Sequence, residues 1–560
     1  MRATARQMLR RPLGSAQRAL YKSMGHDDAA LARPIIGVAN AYSTLVPGHA
    51  NLRAVAAAVE RGVARAGGTA VEFGVPGICD GLADHHVGAH YPLPSREVVA
   101  AAVEMMVRGH ALEGLVLLGS CDKIVPGMLM AAARLDVPAI MVVGGPAEGG
   151  VEFQGRASDS SSPDDAVALL QRGEMDESAF VALEDGCQPG CGSCAYLGTA
   201  NSMCCAAEAM GLSLPGSATI PATDAARLRA GEDAGERVVR LVETGVSARR
   251  IVTRGAVHNA VRTMAAIGGS TNTVLHLMAV AREAGHSLTI DDFAELWSTT
   301  PQVARVNPAG PATVPDFHRA GGVPAVMREI RSLLEGDALT VAGVPLHDVL
   351  NVAAPRHPDD PVIRPLDDPW LEGGGLAVLR GNLAPDSGIT RPAAFPPGMG
   401  SFTGRALCFD SERHANEAIL DGRVGPGTVV VIRYVGPRGG PGMPEMYAPM
   451  KYLVGRGLAA SAAIVTDGRF SGTNNGCFVG HVCPEAALGG PIALVRDGDA
   501  ITIDVTTGSL VLLVDDDEMA RRRAEWRPPP SDAPPPGMLA LYARLAGPAS
   551  RGALLEPEAP

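Results

Sequence analysis

The sequence predicts an α/β protein built as an N-terminal α/β domain with a parallel sheet plus a C-terminal β-barrel-like domain. Three observations predict it. Over about the first 350 residues, short β-branched or apolar runs alternate with helical stretches, as in βαβ units. A stretch rich in proline and aspartate then breaks the pattern. Beyond it the apolar runs stay short and are separated by turn signals.

In chain order, the runs 34–39, 115–118 and 139–143 read as buried parallel strands. Helices are expected over 52–66, 97–108 and 128–135, the first with Leu52, Val55, Val59 and Val63 on one face. The stretch 354–370 (APRHPDDPVIRPLDDPW) reads as a linker between a first domain, 1–353, and a second, 371–560. The second half offers β-like runs at 428–435, 462–466, 491–495, 500–505 and 509–514, with Asp497-Gly498-Asp499 marking one turn. Six prolines in 527–537 suggest a surface strap before a last helix near 538–545. No internal repeat is present.

Composition narrows the function. A chain of 560 residues with 46% hydrophobic residues can bury two or more cores. The net charge of −12, with no basic stripe, argues against a nucleic-acid partner. No apolar run reaches membrane-spanning length, so no membrane association is expected. The first 22 residues are arginine-rich and free of acids, as in organellar targeting segments, yet an arm of a mature cytoplasmic protein is the favoured reading. Lysine occurs only as Lys22, Lys123 and Lys451, while the other 45 of 48 basic residues are arginine. A lysine that survives such a bias is either chance or sits where arginine cannot serve.

Ten cysteines in a long chain without a secretory signal point to metal or iron–sulfur chemistry rather than disulfides. Six of them lie between residues 121 and 205. Cys121-Asp122-Lys123 follows a predicted strand, where ligands gather in open α/β sheets; the thiolate suits a soft metal and the carboxylate a hard one. Cys187, Cys191 and Cys194 are spaced by small residues, as in cluster-binding loops, although zinc and redox sites also use Cys-x2-Cys. Cys204 and Cys205 fall in a helical stretch and read as packing residues. Cys79-Asp80-Gly81 could be a turn or a strand-end metal carboxylate, with Asp84, His85, His86 and His90 nearby. The glycine-dense run 436–446 could cradle an anion or be a long turn ending in Glu445. Ser471 lacks a G-x-S-x-G elbow, which excludes a hydrolase nucleophile of that type.

Together these segments resemble the dihydroxy-acid dehydratase family, which includes aldonic-acid and phosphogluconate dehydratases. The matching stretches run from PIIGVAN (34–40) and VPGH (46–49) through CDG (79–81), YPLPSRE (91–97) and SCDKIVPGMLMAAARLDVPAI (120–140). They continue with CGSC (191–194), TANSM (199–203), GLSLPGSATIPA (211–222), GGSTNTVLHL (268–277), GGPGMPEM (439–446), DGRFSG (467–472) and VGHVCPEA (479–486). The resemblance implies an iron–sulfur cluster, [2Fe-2S] or [4Fe-4S], on Cys121 and Cys194. It implies Mg2+ on Asp80, Asp122, Glu445 and Lys123 as its carbamate, with Ser471 as the base that takes the C2 proton. His86, Ser270 and Thr271 would line the substrate pocket, and the protein would be a homodimer or homotetramer.

Where some relatives carry a third cluster cysteine, this chain has Gly48, so Cys191, Cys187 and Cys79 stay open as the third ligand. The usual MGHxGM segment reads Asp84-His85-His86-Val87-Gly88-Ala89, and Tyr-Glu-Gly-Pro reads Tyr434-Val435-Gly436-Pro437. The implied reaction is dehydration of a 2,3-dihydroxy carboxylate to a 2-keto acid, with the branched substrates of valine and isoleucine synthesis favoured. A sugar-acid dehydratase on the same fold is the alternative. A non-catalytic metal-binding protein is the distant third.

Overall fold

The protein is described from a computed structural model covering residues 4–353, 356–357, 360–529, 534 and 536–556. Of the expected linker, Ala354, Pro355, Pro358 and Asp359 lie outside the described residues, as do 530–533 and 535 of the proline-rich strap.

Strands β1 (Ile35–Asn40), β2 (Thr69–Gly74), β3 (Gly114–Leu118) and β4 (Ala139–Val142) form one parallel sheet in the order β2-β1-β3-β4. β1, β3 and β4 are buried along their whole length, which is why they read as unbroken apolar runs. β2 lies at the edge and is half exposed, and its mixed composition hid it from the sequence reading. The helix Leu52–Arg65 buries the four residues expected on its inner face and packs on the helix Ala225–Thr244. A hairpin of β5 (Glu152–Phe153) and β6 (Arg156–Ala157) leads into a mostly helical region reaching Val352.

The second sheet has eight strands: β7 (Ala377–Leu379), β8 (Ser387–Thr390), β9 (Ser401–Phe409), β10 (Thr428–Ile432), β11 (Ala463–Thr466), β12 (Cys477–Cys483), β13 (Ala500–Asp504) and β14 (Ser509–Leu512). Its order is β14-β13-β9-β10-β11-β12-β8-β7. The four central strands are parallel and the flanking pairs antiparallel. Its two edges meet, because Arg380 N–H donates to Gly508 O and Leu510 N–H to Arg380 O, each at 2.8 Å. The sheet therefore curls into a nearly closed barrel. Val429 and Val431 point into it, while Val430 and Ile432 pack outward beneath the helices Glu412–Leu420 and Tyr447–Gly455. Burial on both faces explains the unbroken TVVVI run.

Two local expectations change. The run 491–495 is not a strand but a 3-10 turn, Pro491–Leu494; its leading proline has no N–H for a ladder and is preset for a helical start. β10 ends at Ile432 because the chain then bends toward Asp467, whose carboxylate accepts the N–H groups of Tyr434 and Val435. After the helix Met538–Leu545 the chain returns to the first half, where buried Arg96 donates to the carbonyls of Gly552 and Ala553, both at 3.1 Å. Among the described residues no helix is long and apolar enough to cross a membrane.

Candidate active site

The site forms where the C-terminal strand ends of the two sheets face each other. Beyond β1 comes the turn Pro47–His49, beyond β2 the pair Cys79-Asp80, and beyond β3 the run Ser120–Lys123. The loop after β4 pairs with the cysteine segment through a bridge between Pro146 and Ser193. From the barrel, the loop after β10 brings Glu445 and the loop after β11 brings Ser471. Asp80, Cys121, Asp122, Cys194, Glu445 and Ser471 line one cavity of about 290 Å3, which adjoins an outer one of about 630 Å3.

One wall is a nest of carboxylates around an amine. Lys123 Nζ lies 2.6 Å from Asp80, 3.1 Å from Glu445 and 3.4 Å from Asp122. Arg469 donates to Glu445, and its Nη2 stands 3.6 Å from Asp80. Asn272 Nδ2 donates to Glu445 at 2.9 Å and to Thr199 Oγ1 at 2.9 Å. Burial pushes Asp80 up to about 7 against the pull of Lys123. Burial also opposes the charge on Lys123, but the carboxylates outweigh it and hold the amine above its ordinary value.

This nest fits a hard divalent cation. Asp80, Asp122 and Glu445 each offer an oxygen within 4.8 Å of the others, and Asp80 Oδ1 is buried with no hydrogen-bond partner. Charge balance agrees. The ammonium of Lys123 with Arg469 leaves the three acids one negative charge in excess; a carbamate on Lys123 deepens that by two, and a dication restores it.

The facing wall carries thiols, all of them free of disulfides. Burial raises Cys121 well above the usual thiol range and Cys194 to about 12, so both are neutral thiols until a metal takes the proton. Gly48 packs flush against Cys121 and Ser193: a Cβ there would lie 2.9 Å from Cys121 Sγ. His49, buried and pushed down to about 4, is neutral, and its Nε2 accepts the N–H groups of Ser120 and Cys121 at 3.1 and 3.3 Å. His49 thus shapes the Cys121 turn, a role the sequence reading missed although the VPGH segment contains it.

Ser471 stands beside the start of the helix Thr199–Ala209. A Cβ on Gly472 would collide with Gly198 Cα and lie 2.8 Å from Thr199 N, so only glycine allows this approach of the two halves. Among the described residues the Ser471 hydroxyl has no protein hydrogen-bond partner.

Other expected residues lie elsewhere. Ser270 and Thr271 are buried behind the cavity rather than lining it; Ser270 Oγ contacts Thr199 Oγ1 at 2.9 Å, and their neighbour Asn272 is the one that reaches Glu445. His86 borders the outer cavity, its Nδ1 accepting from Gly88 N–H. Cys191 does not line the inner cavity, and Cys187 packs in an apolar cluster with Phe153 and Leu183. In the glycine-dense loop, the N–H groups of Arg438 and Gly439 do cradle an anion, but it is the chain's own Glu485.

A cavity between the two sheets, with thiols on one side and a carboxylate–lysine nest with a serine on the other, has the mixed soft and hard donor set of an enzyme site that could hold metals. The sequence profile of the dihydroxy-acid/6-phosphogluconate dehydratase N-terminal domain matches residues 33–349, and that of the C-terminal domain matches 361–553. The chain belongs to this dehydratase family. It is 48% identical to a dihydroxy-acid dehydratase of Moorella thermoacetica over 541 residues, covering 96% of this chain and 97% of the relative. It is 46% identical to one of Syntrophobacter fumaroxidans over 547 residues, covering 97% of each. One of Pyrococcus furiosus is 48% identical over 499 residues, covering 89% of this chain and 90% of the relative.

Proposed function

We propose that the protein is a hydro-lyase converting a 2,3-dihydroxy carboxylate to a 2-keto acid, with 2,3-dihydroxy-3-methylbutanoate of branched-chain amino-acid synthesis as its substrate. The observation that carries this reading is the nest of Asp80, Asp122 and Glu445 around Lys123, opening on the same cavity as Ser471 and the thiols. Near full-length similarity to dihydroxy-acid dehydratases supports the choice of substrate.

Asp80, Asp122, Glu445 and a carbamate on Lys123 would hold Mg2+, and Cys121 and Cys194 would hold the iron–sulfur cluster. When bound, these groups supply Lewis acidity toward the substrate's carboxylate and hydroxyls. The Ser471 alkoxide takes the proton from C2. Its neighbour Gly472 packs on the start of the helix Thr199–Ala209, whose positive end favours negative charge nearby. The C3 hydroxyl departs as hydroxide, takes up the proton that Ser471 received from C2 and leaves as water, which regenerates the alkoxide; the resulting enol tautomerises to the 2-keto acid. Arg469 and Asn272 hold Glu445 in place throughout.

A second reading has one observation in its favour: Asp84 and His85 line the cavity, and burial pushes Asp84 up to about 9, so it can donate a hydrogen bond to an extra substrate hydroxyl. That would suit an aldonate. The deciding experiment is an anaerobic activity panel on reconstituted protein with Mg2+, comparing kcat/KM for 2,3-dihydroxy-3-methylbutanoate and aldonates. A preference for the branched acid is expected. Protein loaded with iron, sulfide and Mg2+ that is silent on both classes overturns the dehydratase reading.

A further inference from the structure

We propose that Cys79 is the third protein thiolate of the iron–sulfur cluster, taking the place that Gly48 leaves without a side chain. The inference rests on the reading that the protein carries such a cluster, and it assigns a ligand that the chain's motifs leave open.

The three loops after β2, β1 and β3 lie side by side, because β1 is the strand between β2 and β3. The outer two each carry a Cys-Asp pair, Cys79-Asp80 and Cys121-Asp122; the middle one carries Gly48. Each pair already gives its carboxylate to the nest around Lys123. Each then has one thiol left for the neighbouring wall, and Cys79, Cys121 and Cys194 line the same cavity. A Cβ at position 48 would lie only 2.9 Å from Cys121 Sγ, so the middle loop has no room for a ligand of its own and a third thiol has to come from another loop.

The other cysteines are committed elsewhere. Cys187 sits in a separate apolar cluster, with its thiol 3.5 Å from Glu184 O. Cys204 is buried in a helix, its thiol 3.8 Å from Ser120 O, and Cys205 is buried beside it. Cys408, Cys477 and Cys483 belong to the barrel strands. Cys191 is part-exposed but does not line the cavity. Three thiolates complete most of a cluster's protein coordination and leave an iron position for substrate.

The test compares Cys79→Ser with Cys191→Ser, both reconstituted anaerobically beside the wild type, by iron and sulfide content per chain and by the visible absorption of the cluster. The expected result is loss of most bound sulfide and a changed spectrum in Cys79→Ser, with wild-type values in Cys191→Ser. Wild-type iron, sulfide and spectrum in Cys79→Ser overturn the assignment, as does loss confined to Cys191→Ser. A wild type that takes up neither iron nor sulfide would instead overturn the cluster reading beneath it. A measurement on the wild type alone guards against a variant that does not fold. Iodoacetamide labelling read by mass spectrometry should find Cys79 modified in chelator-stripped protein and protected in reconstituted protein, with Cys191 modified in both. Equal labelling of Cys79 in the two forms also overturns the proposal.

Discussion

Both halves of the protein present their chemistry at the C-terminal ends of parallel strands, yet they do so differently. In the N-terminal sheet the loops are short: Cys121 lies three residues beyond β3 and Cys79 five beyond β2. Their backbones are set by the strands just before them, and His49 further holds the Cys121 turn through the N–H groups of Ser120 and Cys121. In the barrel, Glu445 lies thirteen residues beyond β10, in a glycine-dense loop. Such a loop has no strand to hold it. Two buried carboxylates take over: Asp467 accepts N–H groups from Tyr434, Val435 and Ala486, and Glu485 accepts those of Arg438 and Gly439. The difference suggests a division of labour. The N-terminal strand ends supply the thiols and two carboxylates, while the barrel supplies Ser471, five residues beyond β11, and the last carboxylate, Glu445, on its long, internally capped loop.

The sharpest way to break that division is to remove one group from each side. Ser471→Ala should lower kcat by about 10^3, in the range for loss of a positioned base, while iron and Mg2+ content stay at wild-type levels. Asp122→Asn should instead lose Mg2+ in metal analysis, and activity with it. Metal loss in the serine variant would put Ser471 on the binding side and end the distinction. The next largest effect concerns how the halves are joined. Lys451 on the barrel side is buried, 3.0 Å from Asp165 and 3.2 Å from Ser161 of the first half. Lys451→Met leaves Asp165 with only the more distant Arg156, 3.8 Å away, and should cost up to about 3–5 kcal/mol in denaturant unfolding. A smaller cost, about 1–3 kcal/mol, is expected for Gly472→Ala, with kcat reduced as Ser471 is pushed from the helix start. Unchanged kcat in a folded Gly472→Ala would show that Ser471 does not depend on that contact.

The same contrast decides what was legible in the sequence. Short-loop ligands stand beside apolar strands, so Cys121-Asp122-Lys123 could be read as a strand-end site from spacing alone. Lys123 was marked by the scarcity of lysine, and the structure extends that argument to Lys451, which is also buried among acids, while Lys22 is a half-exposed surface partner of Asp28. The barrel's β10 and β11 were legible as apolar runs. β2 and β9 were not, because each exposes part of one face. Ser270 and Thr271 were expected in the pocket because they sit in a motif, but burial turned them behind it and left Asn272 to reach the nest. Which N–H groups the glycine-dense loop offers, and to what, depended on Glu485, 46 residues beyond Gly439, and could not be read locally.

The smallest effect tests how the long loop is held. Glu485 is buried, and burial, partly offset by the N–H of Gly439, raises its pKa from the ordinary 4.5 to about 7. An acid whose folded value is raised binds more protons folded than unfolded between those two limits, so its contribution to stability falls as pH rises through that window. Glu485→Gln has no such titration. The difference in urea midpoint, wild type minus variant, should therefore shrink from about pH 4.5 to about pH 7 and stay flat above. Asp467 titrates in the same range but is present in both proteins and cancels. Midpoints that run parallel would mean the N–H groups stabilise the carboxylate as strongly as burial opposes it. The loop bearing Glu445 would then be pinned by charge, and it would stay pinned at every pH where the enzyme works.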